Sequence, residues 1–221
     1  MFESLESRRM LSGVSVSVSG GTMTITGSSK ADVISIREDG FGHAPGEVTV
    51  YDGTTGVTYL ATGITAINAN MNGGNDRVDF TGSTVGANIH GNGGDDSLSV
   101  DDEGSGSATV SGDAGKDSIS VLHGNNTQVF GGDGDDKIYL NTDGDGGTTN
   151  TDAGGGNDVI STYGGANTIN GGAGTDTLIN FGGVNTPRQA LARWLHDPRT
   201  LAPVEESQNF VYRFCEPQRG A

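Results

Sequence analysis

The chain holds a single cysteine, Cys215, in 221 residues, so no disulfide can close within it and its stability must come from elsewhere. Aromatic residues make up 6%, too few to build a conventional globular core. Lys and Arg number only 12, which excludes a nucleic-acid or anionic-membrane surface as the main partner. No run of seven apolar residues opens the chain. Arg8 and Arg9 lead through Met10 and Leu11 into the alternating VSVSVSGG of 14–21, which is not a secretory signal of the usual kind, and no membrane insertion is expected. The G-x-S-x-G, H-E-x-x-H and P-loop patterns are missing as well, and His43, His90, His123 and His196 stand isolated, so catalysis is not expected.

Glycine and acid are what the chain has in excess. Of the 221 residues 39 are Gly, against a usual share of about 7%. The formal net charge is −16, and it is unevenly placed: residues 10–186 hold 22 Asp and Glu against Lys30, Arg37, Arg77, Lys116 and Lys137, a balance of −17. So acidic a body, with few large apolar residues, is expected to stay disordered until its charge is neutralised.

The glycines fall in a repeat. Six segments read MNGGNDRVD (71–79), GNGGDDSLS (91–99), GDAGKDSIS (112–120), GGDGDDKIY (131–139), AGGGNDVIS (153–161) and GGAGTDTLI (171–179). The sixth position is always Asp and the eighth always Val, Ile or Leu. The aspartates Asp76, Asp96, Asp117, Asp136, Asp158 and Asp176 follow one another at intervals of 20, 21, 19, 22 and 18 residues. Such a period predicts an all-β solenoid whose coils bury their apolar faces against neighbouring coils. Val78, Leu98, Ile119, Ile138, Ile160 and Leu178 should form one inward column, and Ile89, Val110, Val129 and Ile169 a second on the opposite sheet.

Stacked turns of this kind predict a metal. Glycines at the first, second and fourth positions permit φ > 0 and leave carbonyls uncovered, while the sixth-position carboxylates form a column of like charges roughly 5 Å apart that would repel itself without a cation. Calcium, which takes six to eight oxygens in loose geometry, suits such a donor set better than magnesium or zinc. Six turns enclose about five gaps and so about five sites.

The nonapeptides resemble the GGxGxDxUx repeat of the RTX, or haemolysin-type calcium-binding, family, over about half of the chain. That resemblance implies a parallel β-roll with calcium between successive turns. Its side-chain ligands fall on Asp76, Asp96, Asp117, Asp136, Asp158 and Asp176, and its carbonyl ligands on the turn residues around Gly94, Gly115, Gly132, Gly134, Gly156, Gly172 and Gly174. The family alternates two nonapeptides per coil, whereas here only every other turn carries the motif, so calcium is expected along one edge alone.

Four regions follow. Residues 1–13 resemble the LEPR-x-LL motif of large extracellular planctomycete-type proteins, with Ser7 where that motif has Pro and Met10 where it has Leu. Residues 14–70 read as strands covering the first coil, with GSSKADVIS (27–35) a decayed repeat: Asp32 holds the sixth position, Lys30 replaces the fourth glycine, and the 44 residues to Asp76 fit two periods. Residues 71–183 are the calcium-binding repeats. In 184–221, Thr186-Pro187-Arg188-Gln189 reads as a helix start, and Leu191, Trp194 and Leu195 as the apolar face of a short helical cap; an export signal is the alternative.

NTDGDGGTTNTD (141–152) places Asp143, Asp145, Gly146 and Asp152 at EF-hand-like positions, a candidate accessory calcium loop or else a solvated insertion. The expected function is a non-catalytic, calcium-stabilised module of a secreted or cell-surface protein, structural, adhesive or export-related, with a possible polysaccharide or cell-surface partner. The alternative is a carbohydrate-active β-helix enzyme using paired carboxylates, for which outward aromatics such as Tyr139 and Tyr163 would be needed as stacking platforms.

Overall fold

The computed structural model describes residues 9–11, 13–38, 46–82, 84–102, 106–142, 147–181, 184–187 and 210–215. Strands dominate from the start: β1 (Arg9–Leu11), β2 (Val14–Ser19), β3 (Thr22–Thr26), β4 (Val33–Glu38), β5 (Val48–Asp52) and β6 (Val57–Ala61). From β7 (Ala66–Asn70) the chain alternates between two sheets through β8 (Arg77–Gly82), β9 (Gly86–Gly93), β10 (Ser97–Asp102), β11 (Ala108–Ala114), β12 (Ser118–Leu122) and β13 (Thr127–Asp133). It continues through β14 (Lys137–Asn141), β15 (Thr149–Gly155), β16 (Val159–Tyr163), β17 (Ala166–Asn170), β18 (Thr175–Asn180) and β19 (Val184–Pro187), and β20 (Phe210–Cys215) closes the described part.

Among the described residues the first sheet runs β1-β2-β3-β7-β9-β11-β13-β15-β17-β19 and the second β20-β18-β16-β14-β12-β10-β8-β4-β5-β6. Within the repeats every pairing is parallel and joins strands of successive coils. The protein is thus a two-sheet parallel β-solenoid. The short period-2 runs VSVSVS, TMTIT and VTVYD account for the N-terminal strands, since alternation buries one face of each.

Both expected columns are present. Val78, Leu98, Ile119, Ile138, Ile160 and Leu178 lie in register on the second sheet and are buried. Ile89, Val110, Val129 and Ile169 do the same on the first sheet, with Thr151 filling the coil between Val129 and Ile169. Towards the C-terminal coils the interior turns polar. Buried Thr149 donates to Asn167 Oδ1 (2.7 Å), Asn167 to the Gly164 carbonyl (3.1 Å) and Thr162 to Asn180 Oδ1 (3.0 Å). The low content of large aliphatics is met there by a hydrogen-bonded network in place of hydrocarbon.

At the N-terminal end the pairing becomes antiparallel: β1-β2-β3 extends the first sheet and β4-β5-β6 the second. Here the structure corrects the spacing. The 44 residues between Asp32 and Asp76 are one coil, not two, because β4 pairs directly with β8 and β3 with β7. The surplus length is the β5–β6 excursion, whose turn is capped by buried Asp52 accepting from the Thr54 and Thr55 amides (2.8 and 3.2 Å). At the other end Val184–Pro187 is a strand, and the expected helix, with Leu191, Trp194 and Leu195, lies outside the described residues.

Candidate functional site

The glycine turns stack along one edge of the solenoid. In all six repeats the second position is left-handed, whether it is Asn72 (φ 69°), Asn92 (72°), Asp113 (70°), Gly132 (113°), Gly154 (99°) or Gly172 (85°). Asn, Asp and Gly are the residues that tolerate this region, so the varied identity hides one backbone requirement. The fourth position, from Gly74 (125°) to Gly174 (133°), lies where glycine alone is at ease. The first position differs from expectation. Gly91, Gly112, Gly131 and Gly171 do not take positive φ; a Cβ there would instead meet Oδ2 of the aspartate that closes the same turn. These four glycines leave space for a carboxylate that folds inward, while Met71 and Ala153 hold the same position before the equally buried Asp76 and Asp158.

That inward fold puts Asp76, Asp96, Asp117, Asp136, Asp158 and Asp176 inside the protein, each buried. They form a ladder in which each Oδ1 accepts the backbone N–H of the aspartate one coil earlier. The rungs are Asp32 to Asp76 (2.7 Å), Asp76 to Asp96 (2.7 Å), Asp96 to Asp117 (2.7 Å), Asp117 to Asp136 (2.8 Å), Asp136 to Asp158 (2.8 Å) and Asp158 to Asp176 (3.0 Å). A constant sixth-position Asp is therefore required by the backbone as well as by any ion.

The second oxygen behaves differently. Oδ2 of Asp76, Asp96, Asp117, Asp136 and Asp158 is buried with no hydrogen-bond partner. Leaving a charged oxygen so placed is unfavourable by a few kcal/mol unless the charge is removed or matched. Burial accordingly pushes Asp96 and Asp158 up to about 7 and Asp136 to about 6, against the pull of the backbone N–H and with neighbouring aspartates adding to the rise. Asp76 and Asp117 are raised for the same first reason. Asp32 is the exception: its Oδ2 accepts the Ser28 amide (2.6 Å) and its Oδ1 the Ser28 hydroxyl (3.3 Å), so the decayed turn satisfies its own carboxylate.

Carbonyls flank this column. A Cβ at Gly115, Gly134, Gly156 or Gly174 would overlap the carbonyl oxygen of Gly94, Gly115, Gly134 or Gly156 respectively. The same relation links Asp113, Gly132, Gly154 and Gly172 along the second position. Turn-to-turn hydrogen bonds reach the third-position carbonyls, for example Gly94 N to Ala114 O (2.9 Å) and Gly134 N to Gly155 O (2.6 Å). Among the described residues no three His, Cys, Asp or Glu side chains gather into a metal site, because the ladder brings one carboxylate per coil. A hard cation fits this donor set: two aspartates bound each gap, one unpartnered oxygen is available in each of five coils, and further oxygens come from backbone.

A second ladder runs beside the first and has no counterpart among the expectations. At the fifth position the side chain of one coil accepts the N–H of the next: Asn75 from Asp95 (3.1 Å), Asp95 from Lys116 (2.9 Å), Asp135 from Asn157 (2.9 Å) and Asn157 from Thr175 (3.0 Å). The signal was the Asn or Asp in four of six fifth positions. Lys116 breaks the series, offering no acceptor to Asp135; its ammonium instead pairs with Asp135 (2.7 Å), which holds that carboxyl down at about 2. Lys116→Asn is expected to restore the rung. The rung gained is a backbone hydrogen bond, whereas the ion pair lost is solvent-exposed and screened, so the exchange is at least neutral. Chemical unfolding should show equal or higher stability, and a clear loss would mean that the ion pair outweighs the rung.

Other candidates are placed as follows. His90 Nδ1 meets Asp113 (3.0 Å), whose other oxygen accepts from Ser111 (2.6 Å); with the carboxylate in the middle, this is not a nucleophile–base arrangement. His123 pairs with Asp101 (2.8 Å). Asp143, Asp145 and Gly146 of the EF-hand-like segment lie outside the described residues, while Asp152 sits in β15 and accepts from Asn170 (3.0 Å). No family model matches the chain, and neither a curated protein nor a solved structure is significantly similar to it.

Proposed function

We propose that the chain is a calcium-binding module of a secreted or cell-surface protein, non-catalytic, whose solenoid is locked by ions held along the glycine turns. The observation that carries this reading is the run of five buried aspartates with one oxygen each unpartnered. Asp76, Asp96, Asp117, Asp136, Asp158 and Asp176 would hold the ions, with carbonyls around Gly94, Gly115, Gly132, Gly134, Gly156, Gly172 and Gly174. Bound calcium would supply the positive charge that lets these carboxylates stay ionised inside the protein. Cytosolic calcium lies far below the roughly 10⁻⁴–10⁻³ M affinities of extracellular modules, so the acidic repeats would pass outward unfolded and fold on arrival.

The enzyme reading finds less support. Tyr139, Tyr163 and Phe181 do share the outer face of the second sheet, but Tyr163 stacks on Phe181 (centroids 4.4 Å apart) and Tyr139 tilts against Tyr163 (5.3 Å). Ring faces so occupied are not a sugar platform.

Titration calorimetry tests the metal reading. About five calcium ions per chain are expected, with Asp136→Ala losing about two and Asp32→Ala losing none. Asp136 bounds two gaps, whereas Asp32 is satisfied by Ser28. Absence of binding at millimolar calcium, or equal losses in the two variants, would reject the reading.

A further inference from the structure

We propose that the outer face of the first sheet is a docking surface for a neutral polysaccharide chain laid along the solenoid axis. This rests on the proposed reading of the chain as a module of a secreted or cell-surface protein. Across eight neighbouring strands, β2, β3, β7, β9, β11, β13, β15 and β17, the register aligns Ser17, Thr24, Asn68, Asn88, Thr109, Gln128, Asn150 and Thr168 in one column. All eight are outward, none is buried, and none makes a side-chain hydrogen bond to another described residue. At a strand spacing of about 4.8 Å the column is roughly 34 Å long.

Nothing in the fold asks for that uniformity. The matching outward column of the second sheet holds Ser35, Ser99, Ser120 and Ser161 but is broken by Asp79, Tyr139 and Ile179. Yet both sheets bury their inner faces. In a chain of net charge −16 a column this long without one charge is a departure that selects the partner. Anionic chains are repelled by the body, and the column presents only amides and hydroxyls, so a neutral ligand rich in hydroxyls is its complement.

The next column supplies the apolar contact that sugars also need. Phe130 is 37% exposed there, flanked in register by Ser111 and Asp152 and two residues from Gln128. The polar side chains near it are already engaged, His90 with Asp113 and Asp152 with Asn170. An exposed phenyl ring among amides and hydroxyls can take the CH face of a sugar, while Gln128 and Asn150 take its hydroxyls.

Retention of the calcium-loaded full chain on insoluble cellulose and chitin tests this, with polygalacturonate as an acidic comparison. Gln128→Glu combined with Asn150→Asp, and Phe130→Ala separately, should each raise the apparent Kd on a neutral polymer about tenfold. Ser99→Asp with Ser120→Asp adds the same charge to the opposite face and should leave retention within about twofold. Circular dichroism confirms that each variant is folded. The proposal is overturned if the wild type is retained on neither neutral polymer, if it prefers polygalacturonate, or if the two charge pairs weaken retention equally. Inhibition of ice growth without retention on either polymer would overturn it too, assigning the column to ordered water. A protein that folds and binds cellulose without calcium at about pH 8, where the ladder carboxyls are ionised, would remove the metal reading and leave this one standing.

Discussion

Stripped of divalent ions, the protein is expected to be most stable at mildly acidic pH and to lose β structure as the pH rises through about 6 to 7. The ladder carboxyls decide the direction. Asp96 and Asp158 are pushed up to about 7 and Asp136 to about 6 when folded, from an unfolded value of 3.8. Between those limits the folded state holds protons that the unfolded chain has released, so stability falls as pH rises. The contribution is complete below about pH 4 and gone above about pH 7. Protons and calcium are alternative ways to neutralise the same buried oxygens. Millimolar calcium should therefore restore the fold at about pH 8, where the metal-free chain is disordered, and add little at about pH 5. Far-ultraviolet circular dichroism against pH, with chelator and with calcium, measures both arms. Metal-free stability that rose with pH over this window would show that the unpartnered oxygens are not charged groups in need of neutralisation. A calcium-insensitive spectrum at pH 8 would sink the metal reading.

Much of this was legible because the solenoid repeats one physical requirement many times. The constant Asp, the aliphatic eighth position and a period near 20 residues located the parallel strands, both inward columns and the column of aspartates. What stayed hidden depends on relations between coils, which one nonapeptide does not display. The first glycine looks like a conformational residue, yet Gly91 and Gly112 serve by lacking a side chain where the carboxylate turns inward. The fifth-position ladder is visible only once Asp95 and Asn75 are known to be neighbours, 20 residues apart. The Asp32–Asp76 interval misled because a hairpin excursion and an additional coil have similar lengths; only the pairing of β4 with β8 separates them. The polar interior of the last coils gave no warning, since Thr149, Thr151 and Asn167 suit an outward alternation as well as an inward one.

The glycines themselves yield the sharpest separation by mutation. AGGGND at 153–158 contains Gly154, Gly155 and Gly156 in a row, indistinguishable in composition. Gly156 has φ 139°, and a Cβ on it would overlap the Gly134 carbonyl of the coil before. Gly156→Ala must therefore strain the backbone and push two coils apart, at a cost of roughly 3–5 kcal/mol against total stability of similar order in a small domain. Gly155 does not take a positive φ, and the atom nearest to its built Cβ is Asp133 Oδ1 at 3.6 Å. The equivalent positions of two other repeats already hold alanine, Ala114 and Ala173. Gly155→Ala is accordingly expected to raise stability by about 0.5–1 kcal/mol, chiefly by restricting the unfolded chain. Unfolding of the two variants in calcium should thus shift in opposite directions, though they differ by one position in the chain. Because Gly156 also contributes a carbonyl to the edge where ions would sit, its replacement should lower calcium stoichiometry, whereas Gly155→Ala should preserve it. Equal destabilisation by the two substitutions would contradict the placement of positions in the turn, and with it the register of the whole ladder.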